Sequence, residues 1–256
     1  MASILDRYGI KEVADVTFYK ISDGSDGKKA GDPTIPVLYL DTLKVSTIEQ
    51  TAENTSARGG KGNPELIMWD YGKEITVTLE DALFSAKSMA LMYGVEPSAD
   101  AADFTEITSL KKTVRVDQIK DGKVSTQAGD IEIPTEGVIY YDDMGEVVDG
   151  ASASDYKTAV YCTFDLTVEG REIVISSAKF PGTYYITGDT YARSETTGED
   201  EFFQFIIPKA KMQSEVTLTM EAEGDPSTFN MSLKVLRPAD GDMMKLVKYN
   251  LPKAEG

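Results

Sequence analysis

Alternation of apolar and polar residues recurs along this sequence and favours a mainly β fold. In residues 75–80, three apolar side chains alternate with two threonines and a glutamate. Such a period of two residues is typical of a strand with one buried face. The same alternation returns in residues 160–168 and 229–235. A chain built from such segments must stack its apolar faces in a sandwich or a curled sheet.

One helix is expected beside this sheet. Asp81 directly follows the alternating run and is a good helix cap, and the apolar residues Leu83, Met89 and Met92 then precede Gly94. The residues before the run, around Trp69, are interpreted as the other strand of a hairpin, with the tryptophan in a core.

The rest of the chain is expected to be short strands and turns. Further strands are predicted at residues 13–21, 37–48, 112–119, 130–133, 137–141, 171–177, 183–193 and 201–207. Residues 50–65 are predicted to form a long loop, a kind of connection that is more often functional than neutral. Residues 1–256 are expected to form a single β domain, with residues 97–155 as an insertion or excursion from its core.

Composition argues against enzymatic chemistry. The sequence has no histidine, and therefore lacks the usual general base and zinc ligand. The single cysteine, Cys162, lies in an alternating strand and is interpreted as a buried apolar residue. With 26 basic and 43 acidic residues, the net charge is −17, which opposes nonspecific binding to nucleic acid. We expect no enzyme, no cofactor and no metal site.

The glycine-rich segment before the hairpin is the clearest candidate for a functional loop. It lacks the Gly-Lys-Ser/Thr ending of a phosphate-binding loop, and Pro64 follows it where a helix should begin. A flexible arm with a cationic tip that orders on an acidic partner suits it better. Its residues are Arg58, Gly59, Gly60, Lys61, Gly62 and Asn63.

Two segments repeat the pattern Thr-x-Thr-x-Glu on the polar side of a predicted strand. In an ordinary sandwich these residues would face solvent, whereas in a closed assembly they would line a hydroxylated, negative channel with no cation to hold DNA. Both readings stay open. The residues are Thr76, Thr78 and Glu80, and Thr217, Thr219 and Glu221.

These features together resemble the tail tube, or major tail, proteins of long-tailed bacteriophages. The resemblance rests on the segment Ala-Arg-Gly-Gly-Lys-Gly-Asn-Pro, the Trp-containing hairpin, Thr-Val-Thr-Leu-Glu-Asp-Ala-Leu with its helix, and a C-terminal hairpin with a Gly-Asp-Pro turn. It covers about residues 35–95 and 200–251. It implies an antiparallel β-sandwich or half-barrel flanked by one helix.

The resemblance also implies a function. Tail tube proteins are structural subunits that stack in rings, usually hexameric, around a channel through which genome DNA passes without specific binding. The glycine-rich loop would reach an adjacent ring or subunit. Partners would be other copies and other tail proteins: sheath if the tail contracts, tape measure, terminator and baseplate. The protein would be made in the host cytoplasm and reside in the virion tail.

Two alternatives remain from the sequence. One is another structural component of a virion or of a contractile injection machine. The other is a carbohydrate- or ligand-binding β-sandwich with exposed aromatics as its platform, namely Tyr140, Tyr141, Tyr184 and Tyr185. No apolar run approaches the ~20 residues of a membrane helix, so no membrane anchor is expected.

Overall fold

A computed structural model describes residues 7–25, 27–95, 105–149, 159–170, 172–215 and 228–250 of the 256-residue chain. Its contacts divide the chain into two units. The larger unit comprises Met1–Pro97 and Ile173–Gly256, and the smaller unit is Ser98–Glu172. Each unit has strands and a hydrophobic core of its own.

The larger unit contains one α-helix and nine antiparallel strands in its described residues. They are β1 Tyr8–Ile10, β2 Asp15–Ile21, β3 Pro33–Leu40, β4 Leu43–Arg58, β5 Glu65–Asp81, α1 Ala86–Met92, β11 Thr183–Ser194, β12 Asp200–Met212, β13 Phe229–Val235 and β14 Lys245–Tyr249. The main path through the sheet is β3-β2-β11-β12-β13-β5-β4, with β1 on β11 and β14 on β12.

This sheet curls because its two end strands are consecutive in the chain. β3 and β4 lie at opposite ends of the path, yet only Asp41 and Thr42 separate them. The end of β3 and the start of β4 are therefore close in space, and no ladder of backbone hydrogen bonds joins the two strands among the described residues. Side chains from β2, β5 and β12, including Phe18, Val77 and Ile207, pack into a single core inside the curl.

The alternation of β5 explains how it lies in that core. Ile75, Val77 and Leu79 are buried, and the residues between them face the other side of the sheet. Leu79 pairs with Met231 of β13, so the apolar faces of both strands coincide. The sequence-based prediction of a mainly antiparallel β fold with one flanking helix is confirmed.

The helix starts later than the sequence predicts. Asp81 stays in β5, where it pairs with Phe229, and its buried carboxylate accepts hydrogen bonds from Thr42 Oγ1 at 2.6 Å and Leu83 N at 3.2 Å. Ser85 is the true cap. Its hydroxyl accepts from Ser88 N at 3.0 Å, and Ser85 N donates to Ser88 Oγ at 2.9 Å.

The prediction of a long loop at residues 50–65 is wrong for most of its length. β4 continues to Arg58, and the connection to β5 is only residues 59–64. Residues 49–55 of β4 are all exposed, on both faces of the strand, so no apolar alternation marks them as a strand. The strand predicted at residues 171–177 is also wrong, since the described residues 172–177 form none and leave Val174 and Ile175 exposed.

The described residues of the smaller unit form five strands. They are β6 Thr105–Arg115, β7 Lys123–Thr126, β8 Gly129–Glu132, β9 Ile139–Tyr141 and β10 Tyr161–Gly170, with a 3-10 helix at Val116–Gln118. β6-β10-β9 form one antiparallel sheet and β7-β8 a hairpin. Val116, Cys162 and Phe164 lie in the core, and burial raises the pKa of the Cys162 thiol, as expected for an inert apolar position.

Candidate functional site

The outer parts of β4 and β5 form a two-stranded ribbon that we call the hairpin arm: residues 50–58 paired with residues 65–74. The register runs from Thr51 opposite Glu74 to Arg58 opposite Glu65. Beyond residue 75, β5 pairs with both β4 and β13, but within the arm the described pairings involve β4 and β5 alone. Both outer edges of the arm are therefore unpaired among the described residues.

The arm exposes a continuous apolar run. Trp69 is 52% exposed, which corrects the expectation that it packs in a core. The run occupies both faces of the ribbon, because successive side chains of a strand point to opposite sides. Its members, each more than half exposed, are Leu66, Ile67, Met68, Trp69 and Tyr71. This much exposed apolar surface on one segment marks an interaction surface.

The glycine-rich segment is the turn at the end of the arm. Gly59 N donates to Pro64 O at 3.1 Å, and Asn63 N donates to Gly60 O at 3.1 Å. Gly60 and Gly62 have φ angles of 86° and 85°, which glycine adopts without strain. Arg58 lies 3.6 Å from Glu65 in an exposed ion pair. Lys61 is exposed and forms no ion pair with the described residues, so it presents a cation at the tip.

Three of the six Thr and Glu residues noted in the sequence share one face. Thr76, Thr78 and Glu80 all point away from the core of the larger unit, with Thr78 exposed and the other two half-buried. Thr217, Thr219 and Glu221 lie outside the described residues.

The neighbouring strands extend this face with more polar groups. Thr78 lies between Thr47 of β4 and Ser232 of β13, and Thr76 is paired with Lys234. Lys234 donates to Glu74 Oε1 at 2.7 Å, so its charge is matched within the same face. We call Thr47, Thr76, Thr78, Glu80, Ser232 and Lys234 the hydroxylated face; the cation among them, Lys234, is paired with a carboxylate.

A groove of about 620 Å³ opens elsewhere in the larger unit. Apolar side chains of five segments line it: Ile10, Val13, Val45, Ile48, Phe203, Phe205 and Leu246. Ile10 is 67% exposed and Leu246 is 72% exposed. The sequence pattern does not predict this groove, because its residues come together only when the sheet curls.

The arm differs from the groove, because its apolar run Leu66-Ile67-Met68-Trp69 is visible in the sequence. The sequence pattern predicts a core position for Trp69, whereas the structure exposes it. The signal that distinguishes an arm is the partner strand, residues 50–56, which is wholly polar apart from Ala52 and supplies no apolar surface to pack against.

These surfaces carry no metal-holding cluster among the described residues. Among the described residues, no group of three or more His, Cys, Asp or Glu side chains is placed to hold a metal. No helix in the same residues is long and apolar enough to cross a membrane. The four tyrosines of the alternative platform are each half-buried, and Tyr140 and Tyr184 pack against the cores of their respective units.

Comparison with known proteins agrees with the resemblance found in the sequence. The model of the YomU/Tube protein family matches residues 8–248. A protein of Bacillus phage SPR described as a tail tube protein is 24% identical over 258 aligned positions, covering 93% of this chain and 87% of that protein. The sequence-based assignment to tail tube proteins is thereby confirmed, and the chain belongs to the YomU/Tube protein family.

Proposed function

We propose that this chain is the structural subunit of a bacteriophage tail tube, in which copies assemble into stacked rings around a channel for genome DNA. The observation that carries the proposal is the alignment to a tail tube protein along 93% of the chain. The exposed apolar arm supports it, since a subunit that functions alone has no use for such a surface. The protein would act without catalysis as a component of the virion.

The arm supplies one half of the contact between copies. A head-to-tail interface needs two different surfaces on each subunit, and it forms a ring when the rotation between copies closes. We place the apolar run of the arm on one side of this contact. The groove beside Ile48, Phe205 and Leu246 supplies the other side, because it is an apolar concave surface of the same unit. Burial of both would stabilise the assembly by about 25 cal/mol for each Å² of apolar surface removed from water.

The turn at the end of the arm would contact an adjacent ring or subunit. Lys61 and the Arg58–Glu65 pair place charge at this tip, on a protein whose net charge is −17. Attraction between this cation and the acidic surface of a second subunit would orient the two subunits as they approach each other. The proposed contact residues are Arg58, Gly59, Gly60, Lys61, Gly62 and Asn63.

The hydroxylated face is the proposed wall of the channel. Thr76, Thr78 and Glu80 present hydroxyls and a carboxylate, and Lys234 is already paired with Glu74. DNA phosphates release no counterions to such a surface, so the genome passes without being held. Thr217, Thr219 and Glu221 are proposed to extend the same wall.

The number of subunits in a ring is proposed to be six, as in the proteins that the sequence resembles. Other tail proteins would complete the structure: a tape measure within the channel, a terminator and a baseplate at its ends, and a sheath if the tail contracts.

The test is electron microscopy of the purified protein, with an arm variant beside it. Wild-type protein is expected to form stacked rings with an open lumen. The variant Ile67→Ser/Trp69→Ser removes two exposed side chains from one face of the arm, and it should fold but remain unassembled. Circular dichroism and Tm check the fold.

A matched control separates the arm from exposed apolar surface in general. Val174→Ser/Ile175→Ser removes two side chains that are 61% and 62% exposed outside the arm, and it should assemble like the wild type. Normal rings from the arm variant would exclude the arm as the contact. A wild-type protein that stays monomeric and is absent from phage particles would contradict the tail tube function.

A further inference from the structure

The sheet of the smaller unit has two outer edges. On one side, β6 pairs with β10 alone among the described residues, so every second backbone N–H and C=O of β6 points away from the sheet. On the other side, the chain turns back after β9. Val148 N donates to Tyr140 O at 2.9 Å, which makes residues 146–149 the outermost segment there.

The edge at β6 is basic. A groove of about 790 Å³ opens between β6 and β7, and four cations line it: Lys112, Arg115, Lys120 and Lys123. Asp117 is the one acidic residue in that lining. Such an excess of cations over acidic residues is unusual in a chain with 43 acidic and 26 basic residues.

Two of these cations form no ion pair within the part of the chain that the structure describes. Arg115 is held by Asp117 at 3.0 Å and Lys123 by Glu132 at 2.6 Å, both in exposed pairs. Lys112 and Lys120 form no ion pair with the described residues. The groove therefore keeps positive charge available beside unpaired backbone, with the apolar Val114, Val124 and Ile131 among its lining.

The opposite edge is acidic and apolar. No lysine or arginine occurs between residues 124 and 156. Asp142 Oδ1 accepts from Met144 N at 2.9 Å and Glu146 N at 2.8 Å, which fixes the turn after β9. Asp143, Glu146 and Asp149 are exposed, and between them Met144 is 85% and Val147 58% exposed.

We propose that the basic edge of one copy receives the acidic edge of a second copy, so that the smaller units of adjacent subunits join edge to edge. The inference rests on the proposed assembly of copies and adds a second contact to it. Strand addition satisfies the free backbone groups of β6, and charge complementarity selects residues 142–149 as the incoming segment.

A second copy is the partner because one sheet presents both halves of the contact. Met144 and Val147 match the apolar part of the groove, and Asp143, Glu146 and Asp149 match its lysines. The two edges are different surfaces, so the contact is head-to-tail. Such a contact repeats around a ring without leaving either edge exposed.

Charge reversal in the full-length protein tests the proposal. The variant Lys112→Glu/Lys120→Glu makes both edges acidic, and Asp143→Lys/Glu146→Lys/Asp149→Lys makes both basic. Each alone is expected to need at least tenfold more protein for half-maximal association by sedimentation velocity. An equimolar mixture of the two should restore wild-type association, because every acidic edge then meets a basic one. Lys29→Glu/Lys87→Glu in the larger unit repeats the first charge change and should associate normally.

The outcomes distinguish this proposal from the tail tube function. If wild-type protein forms tubes and both reversal variants associate like it, the edge contact is wrong and the tail tube function stands. If the mixture fails to restore association that each folded variant has lost, the edge contact is equally wrong. If wild-type protein forms no tubes but the mixture associates more strongly than either variant, the edge contact holds and the tail tube function fails.

Discussion

Gly94 shows how a single residue fixes the junction between helix α1 and the rest of the larger unit. Its φ angle is 72°, and its N–H donates to Leu91 O at 3.1 Å where the helix ends. A Cβ at this position would lie 2.3 Å from the carbonyl carbon of Phe180. Both the turn and the close approach therefore require glycine.

Gly94→Ala is accordingly expected to destabilise the larger unit by roughly 2–4 kcal/mol, because a left-handed conformation and a backbone clash add together. Thermal unfolding followed by circular dichroism should show a Tm lower by about 5–10 °C. Gly9→Ala is the control, since Gly9 has no atom within 4 Å of a Cβ placed there. Equal Tm values for the two variants would contradict this account of Gly94.

The elements differ in how well the sequence predicts them. β5 and β10 are predicted well where they have one buried face, because residues such as Val77 and Cys162 then alternate with polar neighbours. The outer half of β4 has no buried face, so its strand leaves no apolar alternation. The helix start depends on Asp81 pairing with Phe229, some 150 residues away in the chain, which local pattern does not reveal.

The candidate site divides in the same way. The shared face of Thr76, Thr78 and Glu80 follows from local pattern, whereas the glycine-rich segment is predicted as part of a long loop and forms a short turn instead. The apolar groove and the basic edge of β6 need distant segments to come together, and they became visible only in the fold.

The hydroxylated face leads to a testable prediction about strand β5. Glu80→Lys adds an unpaired cation beside Thr78, which is expected to leave ring formation intact while making assembled tubes retain DNA. Co-sedimentation of tubes with linear DNA should rise and then fall steeply with added salt, because phosphate contacts release counterions.

Glu136→Lys makes the same charge change at an exposed position of the smaller unit and serves as the control. If both variants retain DNA equally, the effect reports net charge alone. The hydroxylated face would then not be the wall of the channel.

At the scale of the whole molecule, the described residues form two separate hydrophobic cores. One surrounds Val77 and Phe18 in the larger unit, and the other surrounds Val116 and Cys162 in the smaller unit. The sequence-based division, a single domain with an excursion at residues 97–155, stays a prediction. Units with cores of their own can unfold in separate steps.

Calorimetry of the full chain is therefore expected to show two transitions. Val116→Ala should shift only one transition to a lower temperature, and Val77→Ala only the other. Each substitution should lower the free energy of unfolding of its own unit by roughly 2 kcal/mol, since both side chains are fully buried. The paired variants control for one another. A single transition that both substitutions shift alike would show that the chain unfolds as one cooperative domain.

The two-stranded arm has a consequence for when assembly happens. A ribbon of two strands is only marginally stable in water, so in the proposed assembly docking would complete the ordering of residues 50–58 and 65–74. Two free subunits would have to order their arms as they first meet, whereas a ring already in place would offer an ordered surface. In the proposed tube, the arm would thereby delay nucleation and favour growth from an existing end, which would limit polymerisation to the time and place where a starting ring is available.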